Sequence, residues 1–251
     1  MPPNTTYLVT GANRGIGHAL AAALLLRPHT TVIGTLRPSA SASSLQALST
    51  AEGSTLIITP LEISASSASA IESATQSLHD HLLTQGVSSI DVLIASAGLG
   101  TAFHATKDTA LEDVTAHFHI NTLGPLSLYQ SLRPLLLAST QKKFIVISSS
   151  LGSIQDMEDA APTLAYGVSK AGVNYVVRKV HFEEDEVVGL AVHPGWVKTE
   201  NGQNFADSIG YETPPMGLGE SVEGVLRQID GATKETSSGT FVSYDGSKIA
   251  W

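Results

Sequence analysis

Tyr166 and Lys170 stand four residues apart. In a helix that spacing puts both side chains on one face. An isolated phenol holds its proton up to a pH of about 10. A cation beside it lowers that value, so the pair could deliver a proton to an oxygen that is gaining negative charge. The run Ser148-Ser149-Ser150 could donate a hydrogen bond to the same oxygen. Taken singly, each residue has an ordinary reading. A mid-helix Tyr is core or surface, a Lys is a solvated charge, a serine run is a turn, and an Asn such as Asn121 faces solvent.

A second cluster lies near the N-terminus, Thr10-Gly11-Ala12-Asn13-Arg14-Gly15-Ile16-Gly17, between an apolar strand and an apolar helix. Glycines there permit a tight turn and let a phosphate reach backbone N–H groups. The helix N-terminus adds partial positive charge. The spacing is G-x3-G-x-G and departs from the G-x-G-x-x-G of many dinucleotide sites, so a turn without a ligand is the alternative. Nine histidines invite a metal reading. His79/His81 and His117/His119 are two residues apart and fall on different helix faces, and His193 precedes Pro194-Gly195 in a backbone setting. No catalytic metal is expected.

Positioning these groups requires a scaffold. Short apolar runs recur at Tyr7–Thr10, Thr31–Leu36, Leu56–Thr59, Ile90–Ala95, Phe144–Ser148, Val187–Val192 and Thr240–Ser243. Most are continuous, not alternating, as in parallel strands covered on both faces. Helical patterns lie between them, at Gly15–Arg27, Ala65–Leu83, Leu111–Leu137 with room for an interruption, Ala165–Phe182 and Gly219–Ile229. Ser39–Ser49 reads as a short helix plus loop. The alternation predicts one doubly wound α/β domain over residues 1–251 with a seven-stranded parallel sheet and the ligand cleft at the carboxyl ends of the strands.

Composition removes several function classes. The net charge of −9 is the wrong sign for a nucleic-acid or anionic-membrane binder. Absence of cysteine excludes disulfides, Cys-ligated zinc, iron–sulfur clusters and a thiol nucleophile. The N-terminus lacks a basic region before its apolar strand, and no apolar run approaches the roughly 20 residues of a membrane span. A cytoplasmic protein is the expectation.

The glycine loop resembles the TGxxxGxG signature of the short-chain dehydrogenase/reductase family. Asp91-Val92-Leu93-Ile94-Ala95-Ser96-Ala97-Gly98 is similar to that family's strand ending in NNAG, although Ala95 and Ser96 replace both asparagines. Tyr166-x3-Lys170 matches YxxxK, and Pro194-Gly195-Trp196-Val197-Lys198-Thr199 resembles PGxVxT. The motifs occur in family order over nearly the whole chain. Phe144–Ile154, His193–Thr199 and Tyr244-Asp245-Gly246-Ser247 resemble the branch of fungal norsolorinic-acid-type ketoreductases and carbonyl reductases.

The resemblance implies a Rossmann fold, a nicotinamide cofactor and a catalytic set of Asn121, Ser149, Tyr166 and Lys170. Hydride passes to a carbonyl carbon, Tyr166 protonates the oxygen, Ser149 polarises it, Lys170 also holds the nicotinamide ribose, and Asn121 holds a water behind the lysine. Cofactor contacts fall to Gly11, Asn13, Arg14, Gly15, Ile16 and Gly17. Leu61, Glu62, Ser96, Ala97 and Gly98 follow, then Pro194, Gly195, Val197 and Thr199. Glu62 stands where the family usually has Asp.

An NAD site carries an acid about 20 residues past the glycines. Here the second strand ends Gly34-Thr35-Leu36-Arg37. Arg37, with Arg14, suits a 2′-phosphate, so NADPH/NADP+ is expected. Glu200–Gly219, rich in Gly, Asn and Pro, reads as a lid carrying Phe205, Tyr211 and Met216, with Phe103, Ile154, Met157 and Trp196 as pocket walls. An apolar, aromatic pocket favours a bulky hydrophobic, polyketide-like ketone. A broad carbonyl reductase and a catalytically silent NADP(H) sensor are the rivals. The resemblance also implies a homodimer or homotetramer packed through Leu111–Leu137 and Ala165–Phe182.

Overall fold

The computed structural model describes residues 4–158 and 161–251. Seven strands form one sheet in the order β3-β2-β1-β4-β5-β6-β7, with every neighbour parallel. They are β1 Thr5–Val9, β2 Thr30–Leu36, β3 Thr55–Pro60, β4 Val92–Ala95, β5 Lys143–Ile147, β6 Val188–His193 and β7 Thr240–Ser243. Helices α1 Gly15–Leu25, α2 Ser43–Gln46, α3 Ala68–Thr84, α4 Leu111–Phe118, α5 Gly124–Leu137, α6 Leu164–Glu183, α7 Glu200–Ser208 and α8 Leu218–Gly231 fill the crossovers.

Successive strand residues point to opposite faces, which divides the core in two. Tyr7 and Val9 join α1 and α8 in one cluster, while Leu8 joins α3, α5 and α6 in the other. The order reverses between β1 and β4, and the cleft opens at the carboxyl ends of these strands, as expected of doubly wound sheets. Among the described residues no helix is long and apolar enough to cross a membrane.

Two elements sharpen their sequence reading. The interruption that the pattern over Leu111–Leu137 allows is a π-helical segment, His119–Leu123, which separates α4 from α5. Pro125 has no N–H to donate to the carbonyl four residues back, at Asn121, which favours a change of register there. The supposed lid is partly regular. Thr199 caps α7, its hydroxyl accepting the Gly202 N–H at 3.1 Å, and Glu200 stands in the first turn.

Candidate active site

The loop after β1 is shaped by its glycines. Gly11 and Gly15 adopt φ of +65° and +57°, the left-handed region that disfavours a side chain. A Cβ on Gly17 would sit 2.5 Å from the Gly11 carbonyl oxygen, so α1 can start this close to β1 only with glycine. The Thr10 hydroxyl accepts the Ser96 and Ala97 N–H groups, each at 3.0 Å, and so ties the loop to the end of β4. The open, positively polarised helix start fits a pyrophosphate.

These residues line a cleft of about 850 Å3 that reaches to Tyr166 and Lys170. Every residue that the sequence assigned to the cofactor faces it except Asn121. Arg37, Leu61 and Glu62 flank one end, and Pro194, Gly195, Val197 and Thr199 form the opposite wall. Arg37 is exposed and, among the described residues, has no ion-pair partner. Arg14 pairs with Glu200, which links the glycine loop to α7 across the cleft.

At the other end α6 presents Tyr166 and Lys170 on one face, with the Lys170 Nζ 5.6 Å from the phenol ring centre. Lys170 is 5% exposed, and its Nζ donates to the Ile147 carbonyl at 2.8 Å. Burial lowers its ammonium to about 8. Burial pushes the Tyr166 phenol up to about 12, and a hydrogen bond with the Ser149 hydroxyl acts the other way.

The three serines separate cleanly. Ser148 turns inward and donates to Asn174 Oδ1 at 2.6 Å, and Ser150 donates to Glu158 Oε1 at 3.2 Å. Only Ser149 has its hydroxyl beside Tyr166. His193 Nδ1 accepts the Ser150 N–H at 3.1 Å and steadies this turn, and burial lowers its imidazole to about 4.

Asn121 lies behind the wall. Its amide accepts the Leu99 N–H and donates to the Leu99 carbonyl, both at 2.8 Å, and donates to Ser169 Oγ at 2.9 Å. Gly98 lets these groups come close, since a Cβ there would meet Asn121 Oδ1 at 3.2 Å and Lys170 Nζ at 3.7 Å.

Rings run outward from Tyr166 in series, and Phe103, Phe205 and Trp196 among them line the cleft. Tyr166, Phe103, Phe205, Trp196 and Tyr211 follow one another with centre separations of 5.6, 5.3, 5.2 and 4.9 Å. The expected walls are corrected at two positions. Ile154 and Met157 are 70% and 65% exposed and do not face the cleft, because the Ile154 and Gln155 amides donate to the Trp251 carbonyl and hold that loop outward. Met216 packs against Gly195 instead of over the opening. Sequence reasoning missed Asn201 and Asn204 on α7, which donate to the Gly98 and Gly100 carbonyls at 3.3 and 2.8 Å.

Residues 5–209 match the family model for short chain dehydrogenase. The chain belongs to the short-chain dehydrogenase family. A norsolorinic acid ketoreductase of Aspergillus parasiticus is 40% identical over 255 residues, covering 100% of this chain and 92% of that protein. A norsolorinic acid ketoreductase of Dothistroma septosporum is 42% identical, covering 98% and 92%. Among solved structures, an NADPH-bound carbonyl reductase from chicken fatty liver aligns with a TM-score of 0.83 at 30% identity, covering 100% and 96%. Family membership makes the chain an oxidoreductase on the doubly wound scaffold described above.

Proposed function

We propose that this family member is an NADPH-dependent reductase of bulky, aromatic ketones. The observation that carries the proposal is the placement of the Tyr166 phenol, the Lys170 ammonium and the Ser149 hydroxyl at one end of a cleft whose other end is a glycine-shaped phosphate cradle with the free Arg37. The names of the ketoreductase and carbonyl reductase relatives support it.

The cradle from Gly11 to Gly17 would hold the cofactor's pyrophosphate, and Arg37 would hold the 2′-phosphate. Leu61 and Glu62 would flank the adenine. Lys170 would hold the nicotinamide ribose, within a wall of Ser96, Ala97, Gly98 and the 194–199 segment. Bound NADPH supplies hydride. The chain's own residues do the rest. Ser149 donates a hydrogen bond to the carbonyl oxygen, which stabilises charge as it develops there. Tyr166 gives that oxygen its proton. The Lys170 charge stabilises the tyrosinate left behind. Asn121 fixes the wall residue Leu99 and the α6 residue Ser169 relative to each other.

The ring series running outward from Tyr166 suits a flat aromatic substrate, which would stack on Phe103, Phe205 and Trp196. Helices α4 and α6 expose Leu111, Tyr175 and Phe182, each more than half accessible, and this face would pair with a second copy.

Two outcomes test this reading. Reduction consumes a proton, so the protonated Tyr166–Lys170 pair is the active form. kcat/KM for ketone reduction should be level through neutral pH and fall above about pH 8, where Lys170 loses its charge. A rate that climbs with pH across that range would contradict the assignment. The segment from Glu200 to Ser208 should act as a lid that tightens on the ternary complex, with Asn201 and Asn204 holding it to the opposite wall. Hydrogen exchange on α7 should slow more with NADPH plus an aromatic ketone than with NADPH alone. Exchange that ignores both ligands would make α7 a fixed wall.

A further inference from the structure

Gly98, Leu99 and Phe103 line the cleft, and the polar backbone groups of Gly98, Leu99 and Gly100 are taken by side chains of Asn121, Asn201 and Asn204. Another side chain that holds this segment lies outside the catalytic set. His117, in the last turn of α4, is 1% exposed, and its Nε2 receives the Thr101 N–H at 3.3 Å. Its Nδ1 lies 2.7 Å from the Asp113 carbonyl oxygen. A carbonyl oxygen can only accept, so Nδ1 carries the proton and Nε2 presents a lone pair to Thr101. The imidazole also stands edge-on to the Tyr166 ring, 6.4 Å between centres at 89°. Two residues past Thr101, Phe103 is wedged between the Tyr166 and Phe205 rings.

We propose that neutral His117 is a positioning residue for the reductase reaction: it fixes the Thr101 amide, and through it Phe103, so that the aromatic wall meets Tyr166 at the spacing a substrate ring needs. The role rests on the reductase reading above. It does not require His117 to touch substrate or cofactor. Protonation would set an Nε2–H against the Thr101 N–H and break the hold. The surroundings resist that change. Burial is the largest influence and lowers the imidazole below its ordinary value, and the Lys170 ammonium on α6 acts in the same direction. The Asp113 backbone carbonyl and carboxylate on α4 oppose it. Tyr166 faces the ring as an uncharged phenol.

The test compares His117→Phe and His117→Gln with the full wild-type chain by two readouts. Phe keeps a ring of similar size and removes the acceptor. Gln keeps an acceptor oxygen that does not titrate. The first readout is the Thr101 amide followed by NMR hydrogen exchange. It should exchange several-fold faster in His117→Phe and stay near the wild-type rate in His117→Gln. The second is the split between KM and kcat. One net hydrogen bond corresponds to about 2- to 12-fold, so His117→Phe should raise KM for an aromatic ketone by that order while kcat and NADPH affinity stay nearly unchanged. Wild-type KM should rise at acid pH as the imidazole takes a proton, and His117→Gln should lack that rise. A Thr101 amide indifferent to His117→Phe overturns the proposal, as does a His117→Gln variant with the same acid rise as wild type. Should His117→Phe fail to fold, the Gln variant and its pH profile still decide. A wild-type chain that turns over no carbonyl would instead fail the reductase reading, while the exchange experiment would still report on the hold at Thr101.

Discussion

Replacing Tyr166 by Phe should lower ketone reduction at least about 100-fold while leaving the fold and NADPH affinity nearly intact. That loss corresponds to about 2.7 kcal/mol of transition-state stabilisation, the low end for a positioned general acid. The ring remains, so its packing against Phe103 and its edge contact with His117 survive. The missing atom is the hydroxyl that Ser149 engages and that Lys170 would stabilise as an anion. Steady-state rates with an aromatic ketone, beside a fluorescence titration of NADPH, separate the two effects. A variant within a few-fold of wild-type turnover would mean that another group supplies the proton.

Arg37→Ala should weaken NADPH by about 10-fold or more and leave NADH nearly unchanged. Hydrogen bonds to charged groups are worth about 1.5–3 kcal/mol, and an exposed guanidinium sits toward the low end of that range. Arg37 stands past the end of β2, and no carboxylate pairs with it among the described residues. A 2′-phosphate would therefore meet a free cation where an NAD site carries its acid at the end of β2. Arg14 should contribute less to this discrimination, because Glu200 already neutralises it. Dissociation constants for both cofactors check this, and equal losses for the two would show that Arg37 does not read the phosphate.

The parts of this site legible in the sequence are those set by local chemistry. The glycine loop, the Tyr166-x3-Lys170 pair and the strand pattern depend on neighbours a few residues away, and the sheet places them as that pattern implies. Thr199-Glu200 carries a capping signal for α7, set beside a segment whose Gly, Asn and Pro content reads as loop. The break at His119–Leu123 was encoded in Pro125, whose missing N–H acts on the preceding turn. Other features are tertiary and leave no local trace. Nothing near Ile154 shows that the Trp251 carbonyl will hold its loop away from the cleft. Nothing near His117 points to the Thr101 amide, or near Arg14 to Glu200, since these partners lie 16 residues or more away along the chain. The serine run stays ambiguous until Asn174 and Glu158 claim Ser148 and Ser150.

On this reading one cleft binds NADPH and reduces aromatic ketones with Tyr166 as the acid. Following NADPH absorbance while the purified protein meets a panel of carbonyl compounds tests it most directly, with small aliphatic aldehydes, sugars and polycyclic aromatic ketones in the same set. NADPH should be oxidised with the aromatic ketones, much more slowly with the aliphatic and sugar carbonyls, and at least about 100-fold more slowly with the aromatic ketones in the Tyr166→Phe variant. Tight NADPH binding with no oxidation by any carbonyl would contradict it and would favour a chain that senses the nucleotide without turning it over.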